Sequence, residues 1–386
     1  MRRLQNLAVA KKYRIAAALL VLTIAVLVPT RALAPARAKA HDMPRPVSVG
    51  TSFSPRHAEE LGLDYQDAFK RLEALHFRVI RISAYWDEID DQGYSRLDWL
   101  VGEAAASHQP IVISVGMKGL GWPEFYIPPG YQPKTLGSGQ DVAGDAALLE
   151  PTLLFVRDTV ARYRQNPIVV AWQVENEPFN RAGPSRWWIG PEFLQQEIGA
   201  VRELDDRPLI VNVFSHFNML FDQASSRQGL DFKRLLGFDG DTAERDSLSL
   251  LDSGDVLGLD AYTGIGYSFL GQQHVSHANS DWDDQLGRWR EIARQQHKHA
   301  WITEAQAEPW EASPATYANP RSITPAQIGA EFHDLKDAGF STVLLWGSEY
   351  WLWRENNGDS RWMTEVEKIL QEESRGPSIQ VALAEA

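Results

Sequence analysis

The sequence predicts an α/β protein folded as one (β/α)8 TIM barrel with long strand-to-helix loops, and three observations predict it. Eight apolar, β-branched segments alternate with helical segments along a chain of 386 residues, 44% of them hydrophobic. Strand–helix alternation repeated eight times describes a parallel barrel wrapped in helices. The segments that follow strands are long and rich in glycine and aromatic residues, whereas turns after helices are short, with Phe340 and Ser341 alone leading into the last strand. Decoration on one rim only is the mark of a barrel whose working end lies above the strand C-termini.

Residues 1–40 stand outside this barrel. Arg2, Arg3, Lys11, Lys12 and Arg14 precede the 14-residue apolar run Ile15–Val28, and Ala38-Lys39-Ala40 offers small residues for cleavage. So short a run suits a secretory leader better than a spanning helix; an uncleaved N-terminal membrane anchor is the alternative. Either places the protein outside the cytoplasm.

The barrel domain is expected over residues 41–375. Val47–Phe53 is the first strand, and the helix Tyr65–Leu75 sets Phe69, Leu72 and Leu75 on one face. Strands Phe77–Ile82 and Ile111–Val115 follow, then the long amphipathic helix Ala146–Tyr163 and strand Ile168–Val174. Helix Pro191–Leu204 starts with proline where no N–H is needed. Strands Leu209–Phe214 and Val256–Leu259 precede helix Trp282–Gln296 and strand Ala300–Thr303. Helix Pro325–Ala338 is stopped by Gly339 before the last strand, Thr342–Trp346. Beyond Glu373, residues 376–386 read as a frayed, flexible tail.

Composition narrows the function. There is no cysteine, which excludes disulfides, thiolate metal sites and cysteine nucleophiles. Residues 1–40 carry eight of the 38 Lys and Arg and no acid, so the remainder holds 30 bases against 51 acids, a net −21. That charge repels nucleic acid and anionic lipid and is indifferent to an uncharged substrate.

The strongest chemical signal is a pair of acidic strand endings. Ala171–Phe179 reads AWQVENEPF, and Pro178 cannot continue a ladder, so Glu177 sits where the strand opens into a loop. The second ending is Glu304, after Trp301-Ile302-Thr303. Fourth and seventh strands face each other across a barrel mouth. Two carboxyl groups there suit glycosidic-bond hydrolysis, in which an acid protonates the departing oxygen and a carboxylate attacks the sugar carbon. Alternation alone leaves Glu175 equivalent to Glu177, and Glu308 an alternative to Glu304 if the seventh strand runs longer.

N-E-P closing a fourth strand and I-T-E closing a seventh resemble the clan A retaining glycoside hydrolases, which include the family 5 cellulases and mannanases and several β-galactosidase families. The resemblance implies Glu177 as acid/base, Glu304 as nucleophile, and Asn176 as the residue that bonds the sugar 2-hydroxyl. Gln173–Glu177, QVENE, is also similar to the family 35 β-galactosidase pattern, whose acid is the second glutamate, and this favours Glu177 over Glu175. Arg81 resembles the second-strand arginine that supports the nucleophile, Tyr262 the sixth-strand tyrosine bonded to it, and Trp346 the floor beneath the reacting sugar. One departure stands out: Gly116 and Met117 end strand three, where typical family 5 members carry a histidine. The implied activity is cleavage of β-linked oligo- or polysaccharide, cellulase- or mannanase-like, more endo- than exo-acting. An exo-acting β-galactosidase-type enzyme or a transglycosidase is the alternative.

Eight of fourteen tryptophans (Trp86, Trp122, Trp187, Trp188, Trp310, Trp346, Trp351, Trp353) fall in or beside the strand-to-helix loops. Aromatic rings stack on the C–H faces of sugars, and Trp122 and Trp351 join the expected substrate contacts. Two rivals remain. A metal-dependent hydrolase would draw on His297-Lys298-His299 or His216, but the first group precedes strand seven on the far end of the barrel, so no metal and no cofactor are expected. A non-catalytic sugar-binding barrel is disfavoured because both carboxylates are present.

Overall fold

The computed structural model describes residues 46–215, 242–313 and 316–384. His216 and residues 1–40 lie outside them.

Eight parallel strands close into a barrel: β1 (Ser48–Ser52), β2 (Ile80–Ser83), β3 (Ile111–Val115), β4 (Val169–Val174), β5 (Leu209–Ser215), β6 (Val256–Ala261), β9 (His299–Gln306) and β10 (Thr342–Trp346). β10 pairs with β1 to complete the circle, with Ser48 opposite Thr342 and Thr51 opposite Leu345. Burial on both faces explains why these strands are continuous apolar runs in the sequence. Of the predicted helices, Tyr65–Ala74, Pro191–Arg202, Trp282–Gln295 and Pro325–Asp337 appear within two residues of expectation; Leu149–Tyr163 starts three residues late. The last-but-one strand is entered through helix Trp282–Gln295, and helix Pro325–Asp337 begins with a capping box in which Thr324 and Gln327 satisfy each other's backbone N–H. Gly339, at φ 93, ends it in the left-handed conformation that glycine adopts without strain.

Three departures matter. β9 runs to Gln306, three residues past the predicted end, so it carries Glu304 inside the strand rather than after it. A two-stranded antiparallel hairpin, β7 (Gly264–Phe269) and β8 (Gln272–His277), rises from the mouth after β6. The third is the tail. Residues Ile379–Ala384 form a helix whose Ile379 and Ala382 are buried among Val79, Val112, Val170, Ile210, Val256, Trp301 and Leu344. These inward residues at the strand starts leave an apolar floor that must be covered, and the chain end covers it. Val47 N–H donates to Glu373 Oε2 (2.7 Å) and Ser48 Oγ to the Pro377 carbonyl (2.7 Å), which clamps the segment to β1. The tail is therefore a plug and not frayed surface.

Candidate active site

The site is built where β4 stops being a strand. Glu175 (φ 63) and Glu177 (φ 45) both adopt left-handed backbone conformations, which cost a residue with a Cβ about 1–3 kcal/mol each. Surrounding groups hold them there. Gln173 Nε2 donates to the Glu175 carbonyl (2.9 Å), Asn212 Oδ1 accepts from the Glu177 N–H (2.7 Å), and Lys118 Nζ donates to the Glu177 carbonyl (2.8 Å). The kink breaks the alternation that made the two glutamates equivalent.

Glu175 turns into the wall between β3 and β4, where its carboxylate accepts from the Met117 N–H (2.7 Å) and the Lys118 N–H (2.5 Å). A Cβ on Gly116 (φ 125) would sit 2.3 Å from that carboxyl group. This is the reason a glycine ends strand three: the space of a side chain there is filled by Glu175. Burial, then the charge of Glu175, raises the Glu197 carboxyl well above the usual range. Burial raises the Glu175 carboxyl too, but there the two backbone donors, Met117 N–H and Lys118 N–H, oppose the rise.

Glu177 and Glu304 meet across the mouth. With Asp260 they place carboxylate oxygens within 4.8 Å of one another, and Glu177 is 5% and Glu304 3% exposed. Their surroundings differ. Glu304 Oε1 accepts from Arg81 Nη2 (2.5 Å) and its Oε2 from the Tyr262 hydroxyl (2.5 Å), so negative charge on it is solvated by protein. Arg81 is itself locked by Ser52 Oγ (2.9 Å) and Gln173 Oε1 (2.9 Å). Among the described residues, Glu177 has one side-chain donor, Asn180 Nδ2 (2.7 Å). Burial first, then the charges of Glu304 and Glu124, push its carboxyl up to about 8. One carboxylate is poised to act as an anion, and the other to give a proton.

Asn176 is buried beside Glu177, and its Oδ1 accepts from Asn212 Nδ2 (2.9 Å) and Gln173 Nε2 (3.2 Å), which leaves its own amide N–H groups directed elsewhere. Trp346 closes β10, half-buried, with its ring centre 5.9 Å from the Arg81 guanidinium. Its indole N–H donates to Glu308 Oε1 (2.8 Å), and Glu308 Oε2 lies 3.8 Å from His57 Nε2. Glu308 is therefore a neighbour of the site and not the residue held by Arg81 and Tyr262. Of the tryptophans singled out in the sequence, Trp122 (66%) and Trp310 (39%) are exposed, while Trp187, Trp188 and Trp353 are half-buried. Trp310 stands edge-on to Tyr262, centroids 5.0 Å apart. Trp351 does not belong to the site. It is fully buried, its N–H donates to the Ala307 carbonyl (2.8 Å), and its ring packs near Phe77. It lies in helix Ser348–Asn356, whose inner face is core. Trp86 is likewise core, stacked between Tyr131 and Phe155.

Sequence reasoning missed four groups. Asp260, at the middle of the carboxylate cluster, accepts from Asn212 Nδ2 (2.6 Å) and Thr303 Oγ1 (2.5 Å); burial, then Glu304 and Glu177, drive its carboxyl well above the usual range. Asn212, Gln173 and Lys118 tie β4 to its neighbours. A polar residue inside an otherwise apolar strand was the available signal, and Asn212 and Asp260 both show it. Three clustered carboxylates also raise the question of a metal. Glu304's oxygens are taken by Arg81 and Tyr262 and Asp260's by Asn212 and Thr303, and a guanidinium on the same carboxylate repels a cation, so the donor set fits an acid–anion pair. His299 begins β9 at the opposite end from Glu304.

No protein-family model matches the chain, and no curated protein matches it. Solved structures do. GH5_18 from Streptomyces cattleya, in complex with GlcNAc, aligns at TM-score 0.56 and 12% identity over 86% of this chain and 81% of that one. The exo-beta-1,4-mannosidase Op5Man5 from Opitutaceae bacterium strain TAV5 aligns at 0.51 and 17% over 78% and 52%. The beta-galactosidase from Rahnella sp. R3 aligns at 0.55 and 12% over 87% and 57%. The chain thus spans most of the first structure and about half the length of the other two. At such identities the likeness is one of fold, and the fold these comparisons establish is the closed (β/α)8 barrel.

Proposed function

We propose that this protein is a retaining β-glycoside hydrolase, with Glu304 as nucleophile and Glu177 as general acid and then base. One observation carries the reading: two buried carboxyl groups approach within 4.8 Å at the barrel mouth, one bound by a guanidinium and a phenol, the other raised to about 8. Double displacement needs carboxyl groups about 5–5.5 Å apart, whereas inversion needs about 6.5–9.5 Å to admit a water.

The steps follow from the geometry. Glu304 attacks the anomeric carbon as Glu177 delivers its proton to the departing oxygen, and a glycosyl ester forms on Glu304. With the Glu304 charge gone, Glu177, now a carboxylate, takes a proton from water as that water attacks the anomeric carbon and displaces the Glu304 carboxylate. Arg81 and Tyr262 then receive the returning carboxylate. Asn176 offers its amide to the 2-hydroxyl, and Trp346 supports the ring.

The exo-beta-1,4-mannosidase and the beta-galactosidase among the similar structures support a β-linked substrate. The exposed Trp122 and Trp310 at the mouth support a substrate longer than one sugar, and the basic-then-apolar leader supports export across a membrane. A panel of aryl β-glycosides, β-glucans and β-mannans, with NMR of the first-formed anomer, tests the reading. Retained β-configuration is expected; an inverted product, or no turnover on any member, overturns it.

A further inference from the structure

The loop after β3 holds a second charged pair that the reaction as written does not use. Lys118 is buried, and its Nζ donates to the carbonyls of Glu177 (2.8 Å) and Asn180 (3.2 Å). Among the described residues it has one carboxylate partner, Glu124, with Oε2 at 3.5 Å. Glu124 stands in a left-handed backbone conformation (φ 77), its side chain 17% exposed and its Oε2 shielded from solvent with no closer hydrogen-bond donor. Gly183 packs on it: a Cβ there would lie 2.6 Å from the Pro123 carbonyl and 3.3 Å from Glu124 Cβ, so the loop after β4 fixes this strained residue in place.

The arrangement has an electrostatic consequence. An ammonium is needed to gather the two carbonyls that shape the Glu177 loop, but a bare positive charge beside Glu177 favours loss of the proton that an acid must keep. We propose that Glu124 is a positioning residue that acts through Lys118, cancelling the ammonium's charge so that it braces the acid/base loop without stripping Glu177 of its proton. This rests on the assignment of Glu177 as acid/base.

Among the described residues, Glu304 from β9 and Glu124 from the β3 loop oppose its ionisation, and Lys118 and the Asn180 amide favour it; the Glu177 charge in turn raises Asp260 from β6 and Tyr262. Burial raises the Glu124 carboxyl itself, and the Lys118 ammonium draws it back down. Removing the Glu124 charge leaves Lys118 uncompensated.

The test is Glu124→Gln, which keeps the shape of the side chain, with the double variant Lys118→Met/Glu124→Gln as its complement. The full chain is labelled with [δ-13C]glutamate, the Glu177 carboxyl signal is identified by its loss in Glu177→Gln, and its titration is followed by NMR beside the pH profile of kcat/KM. Glu124→Gln is expected to move the Glu177 titration, and the basic limb of the profile, down by about one pH unit, and the double variant to return them toward the parent values. A Glu177 titration in Glu124→Gln that stays within about 0.2 unit of the parent, or moves upward, overturns the proposal. The NMR readout needs no substrate, so absence of turnover in the parent protein would count against the hydrolase reading alone.

Discussion

The ends of β4 and β9 present the same residue, glutamate, at the same rim of one barrel, and surround it differently. At the end of β9 the chain stays in the strand, with one extra residue bulged between Ile302 and Glu304, and the chemistry is in the partners: Arg81 and Tyr262 each take one oxygen of Glu304 at 2.5 Å. At the end of β4 the backbone is strained, and among the described residues Glu177 has a single side-chain donor while it lies buried beside Glu304, Glu124 and Asp260. Position on the fold selects where a glutamate goes, and the surrounding charge selects what it does.

Removing each reagent breaks the comparison hardest. Glu304→Ala should lower kcat by about 10⁴–10⁶-fold. Azide, entering the vacated face, should restore turnover of an activated aryl β-glycoside and give the α-glycosyl azide. Glu177→Ala should cost about 10²–10⁴-fold on substrates with poor leaving groups and far less on dinitrophenyl glycosides, which depart unassisted. Here azide attacks the glycosyl-enzyme and the product should be the β-azide. Identical azide products from the two variants would show that the roles are not divided.

The partners come next. Arg81→Met should lower kcat/KM by about 10²–10³-fold. It should also destabilise the fold by about 3–5 kcal/mol, since it strands a buried carboxylate; unchanged stability by denaturant titration would contradict the pairing. The pH profile gives a smaller but sharper check. The proposed acid must be protonated, and burial with the Glu304 and Glu124 charges pushes the Glu177 carboxyl up to about 8, so kcat/KM should fall as pH rises through about 8. Asn180→Ala removes a donor that favours the ionised form, so the limb should rise by about half a unit.

The smallest effect is on stability. A carboxyl raised from 4.5 to about 8 in the folded protein opposes folding once the unfolded chain ionises, so its cost is absent below about pH 4.5 and grows until pH passes about 8. Glu177→Gln should match the parent Tm near pH 4.5 and exceed it by about 2–4 °C at pH 9. The reverse ordering would place the glutamate in a favourable environment.

Much of this was legible in the sequence because it depends on local pattern. Eight apolar runs and the turn chemistry around them give the barrel, and Pro178 marks where β4 must open. What depends on long-range packing was not legible. Glu175 and Glu177 are indistinguishable by period until the kink, held by Asn212 and Lys118 from other strands and loops, sends one into the wall. The absent histidine at strand three is explained by Glu175 filling the space above Gly116. Trp351 reads as a loop aromatic, yet a helix turns it into the core. The β7–β8 hairpin turns on Leu270 and Gly271, both at positive φ, and leucine is a poor signal for such a turn. The tail helix has meaning only once the barrel's apolar floor exists to receive it.

The division of labour between the two glutamates is tested most directly by trapping. An activated 2-deoxy-2-fluoro-β-glycoside of the sugar preferred in the panel slows both steps and leaves the ester intact, so that peptide mapping by mass spectrometry locates it. A single fluoroglycosyl group on the peptide carrying Glu304, at that side chain, is the expected result. The label on Glu177, Asp260 or Glu308 would contradict the assignment of the nucleophile.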